Sequence, residues 1–115
     1  MLRKYNRLST KYEFNRTKKL GQSYSGQFFH FFYLRPKNYS GPTKVGIVVS
    51  TRFSKSAAKR NRLKRVFREV IRNNFDKIEP GYWIVVYPKF GSGNRKYEEI
   101  SSDFAKTIQK VLVAD

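Results

Sequence analysis

Lys59, Arg60, Arg62, Lys64, Arg65, Arg68 and Arg72 crowd one short stretch, with Asn61 among them and Glu69 as its acid. Side chains of this kind bind phosphate. Arg offers a planar fork of donors to a pair of anionic oxygens, and Lys offers a point charge. Acid–base catalysis asks for other groups. The chain has one histidine, His30, set between Phe29 and Phe31, and its 8 acids are scattered, with only Glu98 and Glu99 adjacent. Neighbours on a helix point about 100° apart and do not converge on one ion. Cysteine is absent, which removes thiol nucleophiles, thiolate zinc sites and a disulfide framework. Gly91-Ser92-Gly93 lacks the Lys-Ser/Thr that would complete a phosphate loop. The residue types favour holding a polyanion over cutting one, and an autonomous endoribonuclease would have to lean on His30.

The bias extends to the whole chain, where 25 Lys and Arg face 8 Asp and Glu for a formal net charge of +17. Like charges at this density oppose compaction, and a polyanionic partner relieves them because each neutralised phosphate releases condensed counterions. The cations run through segments that also carry core residues, so this is not a basic tail on a neutral domain. No stretch pairs a basic face with an insertable apolar face, and no run of about 18 apolar residues occurs, so no membrane partner is expected. The basic, polar start of the chain leads into no apolar region of the kind a signal peptide carries. With cysteine missing as well, a cytoplasmic setting is expected. Aromatic residues make up 17%, with 10 Phe, 8 Tyr and 1 Trp. Rings in such number fill a small core, and rings among Lys and Arg also stack unpaired bases.

The elements that must position these groups follow from periodicity. From Ser56 to about Phe75, Leu63, Val66, Phe67, Val70 and Ile71 recur at the spacing of one helical stripe. Lys64, Arg65, Arg68 and Arg72 fall on or beside the opposite face with Asn61, and Arg60 and Arg62 flank the stripe. This arrangement is costly. Like charges stand one turn apart at Arg60/Lys64, Lys64/Arg68 and Arg68/Arg72, and Lys59, Arg60 and Arg62 lie in or near the first turn, where the helix dipole disfavours cations. Bound phosphate would reverse both costs, and bulk water does not.

A short helix is expected from Lys11 to Leu20, capped by Ser9 or Thr10 and ended by Gly21. Strands are expected at Gln27–Leu34, Lys44–Ser50 and Tyr82–Tyr87, the last so apolar that it should be central in a sheet. The first two of these should pair as a hairpin across the loop at 35–42. A final amphipathic helix should run from Tyr97 to about Val113, and residues 1–8 should form a flexible basic arm. These elements are expected to make an α+β protein, a single nucleic-acid-binding domain over residues 1–115 with a small mixed sheet packed against helices.

Lys44-Val45-Gly46-Ile47-Val48-Val49-Ser50, followed by Ser56-Ala57-Ala58-Lys59-Arg60-Asn61-Arg62-Leu63-Lys64-Arg65-Val66-Phe67-Arg68-Glu69, resembles the ribonuclease P protein family. That family carries a Val-Gly-Ile/Leu strand ending in Ser, a short loop, and an Arg-Asn-Arg-Ile/Leu-Lys-Arg signature followed by Arg-Glu. Arg7-Leu8 and Phe14 match its N-terminal pattern, and the likeness runs over roughly residues 7 to 112. The resemblance implies a mixed four-stranded sheet with three helices, ribosomal protein S5 domain 2-like. It also implies a left-handed β-α-β crossover, the opposite of the usual hand. It further implies that the ribonuclease P RNA, with Mg2+ held mainly by that RNA, cleaves the phosphodiester. One protein per RNA would then bind through Lys59, Arg60, Asn61, Arg62, Lys64, Arg65, Arg68 and Arg72. The 5′ leader of precursor tRNA would lie between the sheet and the first helix, against Arg7, Phe14, Lys18 and Phe31. Phe14 and Phe31 would stack on bases, while Lys18, standing where the family often has a second aromatic, would contact the backbone. A ribosomal or RNA-assembly protein without a role in cleavage would share the same charge and size.

Overall fold

The structure is a computed structural model that describes residues 3–112. Its helices are α1 (Lys11–Leu20), α2 (Ala57–Asn74) and α3 (Tyr97–Val111), and its strands are β1 (Gln22–Ser25), β2 (Phe29–Leu34), β3 (Lys44–Ile47) and β4 (Trp83–Pro88). Each expected helix is present. Thr10 is the cap of α1: its hydroxyl accepts the Glu13 N–H at 3.1 Å, and the Glu13 carboxylate accepts the Ser9 and Thr10 N–H groups at 3.0 Å each. This reciprocal box satisfies donors the helix cannot satisfy itself. Ser56 caps α2 by accepting the Lys59 N–H at 3.3 Å. Val113, the expected end of the last helix, lies outside the described residues.

The sheet order is β1-β2-β4-β3. β4 is central as expected, antiparallel to β2 and parallel to β3. The expected hairpin of β2 with β3 is corrected: β4 lies between them, and the hairpin partner of β2 is β1. β1 reads Gln-Ser-Tyr-Ser and is mostly exposed, because an edge strand needs little apolar surface. β3, α2 and β4 form a β-α-β unit whose two strands are neighbours, with Gly81 at φ +93 turning the chain into β4. A non-glycine side chain is strained in that conformation.

The register divides the sheet into two faces. Phe31, opposite Val86, and Tyr33, opposite Ile84, share one face with Val45. This face meets Leu63, Phe67, Val70 and Ile71 of α2 and Ile100, Phe104 and Ile108 of α3 in one core cluster. Burying each such side chain contributes roughly 1.5–3 kcal/mol. His30 opposite Tyr87, Phe32 opposite Val85, and Gly46 occupy the other face, which α1 partly covers.

The flexible basic arm is corrected over its described part, residues 3–8. Lys4–Asn6 form a short 3-10 turn, and the buried Asn6 amide donates to the Thr43 carbonyl at 3.0 Å. The Leu8 N–H donates to the Val45 carbonyl at 3.1 Å, and the Leu8 side chain is buried. The segment thereby covers the outer edge of β3, whose backbone groups would otherwise stand unpaired.

Candidate nucleic-acid interface

α2 presents its cations much as the periodicity predicts. Lys59, Arg62, Arg65, Arg68, Arg72 and Asn61 are exposed, and Lys64 is half-buried. Arg72 pairs with Glu69 at 3.2 Å. Among the described residues, the other cations of the helix have no carboxylate within ion-pair distance. Arg60 stands apart. Seven residues before Phe67, it returns to within about 20° of that buried ring. Its guanidinium donates to the Ser54 carbonyl at 2.7 Å, tying the loop before α2 to the helix.

The two edges of α2 lead to different neighbours. On one edge, Arg68 meets Arg7 and Phe14 around a cleft of about 140 Å³ floored by Val45 and Gly46. Phe14 is seated so closely over Gly46 that a Cβ at that position would overlap the ring. Glycine here is therefore a matter of close approach. On the other edge, Arg62 reaches the Gly93 carbonyl at 3.4 Å.

Phe31, expected against the leader, is corrected to the core: it is 1% exposed and stacks on Phe29 with centroids 5.7 Å apart. Alternation along the strand gives the α1 face to its neighbours His30 and Phe32 instead. His30 stacks on Tyr87 with centroids 5.1 Å apart and planes 9° apart, and Phe32 meets both rings edge-on. Lys18 is exposed, with its ammonium 5.5 Å from the Tyr87 ring centroid. Burial and the charge of Lys89 lower the His30 pKa, so its imidazole is neutral near pH 7. The sequence pointed to this strand but not to its outward face, because Phe-His-Phe-Phe-Tyr has no polar alternation to read.

Sequence reasoning also missed Glu13. Burial would raise its pKa, but hydrogen bonds from Ser9, Thr10 and Lys44 outweigh that and bring it to about 2. The Lys44 ammonium lies 2.9 Å away, so the pair clamps α1 to β3 one residue from Phe14. The capping pattern Thr10-x-x-Glu13 was the available signal. Among the described residues, no three His, Asp or Glu side chains converge as a metal site.

Fold and surface together define a small α+β protein that joins a basic helix to a cleft of rings and cations. The family model for ribonuclease P matches residues 2–112, and the chain belongs to the ribonuclease P protein family. It is 37% identical over 111 residues to the ribonuclease P protein component of Chlamydia caviae, covering 96% of this chain and 77% of that one. It is 32% identical over 113 residues to that of a Pseudanabaena species, covering 98% and 97%. Among solved structures, the RNase P protein of Thermotoga maritima matches with a TM-score of 0.80 at 26% identity, over 91% of this chain and 96% of that one. The Staphylococcus aureus RNase P protein shares the fold with a TM-score of 0.82 at 22% identity, over 97% and 100%. The chain is thus an RNA-binding protein subunit of ribonuclease P, acting in tRNA processing with a ribonuclease P RNA as its partner.

Proposed function

We propose that this chain serves ribonuclease P by binding RNA on two contiguous surfaces, α2 for the catalytic RNA and the α1 cleft for the leader of precursor tRNA. The exposed cations of α2 neutralise phosphates of the RNA subunit, one protein to one RNA. The cleft takes the single-stranded 5′ leader: Phe14, Phe32 and Tyr87 offer ring faces, and Lys18 and Arg7 offer charge to the backbone. Stacking on such rings is worth about 1–3 kcal/mol per base and tolerates any sequence. Holding leader and catalytic RNA on one rigid body gives the reacting phosphodiester a high effective concentration at the RNA active site.

The bond-breaking chemistry belongs to the RNA in this reading. Mg2+ bound there would polarise the phosphate and activate water. Within that division of labour, this chain binds and orients the RNAs. Cytoplasmic location belongs to the same proposal.

The observation that carries the reading is the meeting of Arg68 from α2 with Arg7 and Phe14 around one cleft, which makes the two surfaces continuous. The test is reconstitution with a ribonuclease P RNA and precursor tRNA at low Mg2+. Correct 5′ cleavage should rise above that of the RNA alone. No rise would instead favour an RNA-assembly protein without a role in cleavage.

A further inference from the structure

The edge of α2 away from the α1 cleft carries a second concavity, a groove of about 510 Å³. Phe53 and Phe90 form its aromatic wall, and Lys59, Arg62 and Asn94 stand around it. The two rings are stacked, with centroids 5.4 Å and planes 25° apart. Phe53 is anchored, packed against the core and 3.2 Å from the point where a Cβ on Gly93 would stand. Phe90 is different, with 75% of its surface in water. A ring held so far out adds little to folding, and its outer face is presented to solvent. None of the residues lining the groove is acidic, and Lys59 and Arg62 are exposed.

We propose that this groove holds one unpaired nucleobase of the RNA subunit, stacked on Phe90, with its flanking phosphates on Lys59 and Arg62. The inference rests on the reading that α2 faces the RNA subunit. A ring pair with cations at its rim matches a nucleotide, which is a flat π-face between two anions. An acidic peptide would satisfy the cations and leave the ring face unused. A second copy of the chain is opposed by its net charge of +17. The leader is assigned elsewhere, because Lys59 and Arg62 belong to the edge of α2 opposite Arg68 and the α1 cleft. Asn94 is placed to offer its amide to the edge of the stacked base.

The test compares the affinity of Phe90→Ala, Phe90→Leu and Phe90→Trp for the ribonuclease P RNA, with thermal unfolding as a check on folding. Precursor-tRNA binding by the assembled holoenzyme forms a second arm. Ala and Leu should each weaken RNA-subunit binding roughly 5- to 150-fold, the range that ring–base stacking spans. Trp should restore it. The salt dependence of Phe90→Ala should match that of the parent, while Lys59→Gln and Arg62→Gln should each make it shallower. The proposal is overturned by unchanged RNA affinity in Phe90→Ala, or by a Leu variant as tight as the parent. A defect confined to precursor-tRNA binding would assign the groove to the leader, and one confined to self-association in sedimentation would assign it to a second copy. Arg65→Gln with Arg68→Gln tests the underlying reading separately: if RNA binding ignores that pair, α2 is not the interface, whatever Phe90 does.

Discussion

The strand from Phe29 to Leu34 sets two adjacent rings to opposite work, and single substitutions should separate them. Phe31 is enclosed by Phe29, Tyr24 and Tyr33. Phe31→Ala should therefore cost about 3–5 kcal/mol of stability in urea unfolding, as large cavities in cores do. Phe32→Ala should cost less, and should instead remove part of the affinity that a longer leader adds to precursor tRNA. Mature tRNA binding should be spared. Equal losses of stability in the two variants would place both rings in the core. Glu13 gives a second residue-scale test. Its pKa falls from 4.5 to about 2, so its carboxylate stabilises the fold fully above pH 4.5. That contribution is lost as the pH falls through about 2, below which folded and unfolded chains are both protonated. Glu13→Gln should therefore be destabilised on the order of 2 kcal/mol at pH 7, and the gap from the parent should close as the pH is lowered. A gap independent of pH would mean that the charge of Glu13 is irrelevant.

At the scale of elements, α2 was the most legible part of the sequence and β1 the least. Leu63, Phe67, Val70 and Ile71 are buried as their spacing predicts, with Val66 half-buried at the margin of the stripe, because helical period and apolar residues agree there. β1 carries no such pattern: it sits at the edge, is mostly exposed, and is held by backbone bonds to β2 that any residue can make. The pairing of β2 with β4 was illegible for a related reason, since apolar runs declare burial but not their neighbours. The outward face of β2 was hidden because a run of rings has no alternation. Arg60 flanks the apolar stripe as its spacing predicts, yet its guanidinium is tied to the Ser54 carbonyl, a difference from Arg65 and Arg68 that spacing does not declare. That last difference is testable. Arg65→Gln and Arg68→Gln should each flatten the slope of log affinity against log salt for the RNA subunit by about 0.7–0.9, one counterion per phosphate. Arg60→Gln should leave the slope nearly unchanged while lowering stability, since its guanidinium holds the Ser54 carbonyl. Equal slope changes at all three positions would put Arg60 on the RNA as well.

At the scale of the whole molecule, the arithmetic of charge decides how the free protein behaves. A net charge of +17 sits on 115 residues, and few carboxylates offset it. The ion pairs among the described residues are Arg35–Glu79, Lys44–Glu13, Arg72–Glu69 and Arg95–Glu99. Apart from Lys44–Glu13 these are exposed, and exposed pairs contribute little. Repulsion among unpaired cations therefore outweighs attraction, and screening should remove more cost than benefit. The free protein should unfold at a higher temperature as salt is raised, the opposite of a fold held by surface ion pairs. Polyphosphate should act at far lower concentration than chloride, because several linked anions bind the folded cation surface and stabilise it by mass action. The RNA subunit extends the same logic with a surface that fits. Thermal unfolding followed by circular dichroism across a chloride series and a polyphosphate series checks this directly. A transition temperature that falls with added salt would show that the fold depends on its ion pairs, and that the charge of α2 is not a strain awaiting phosphate.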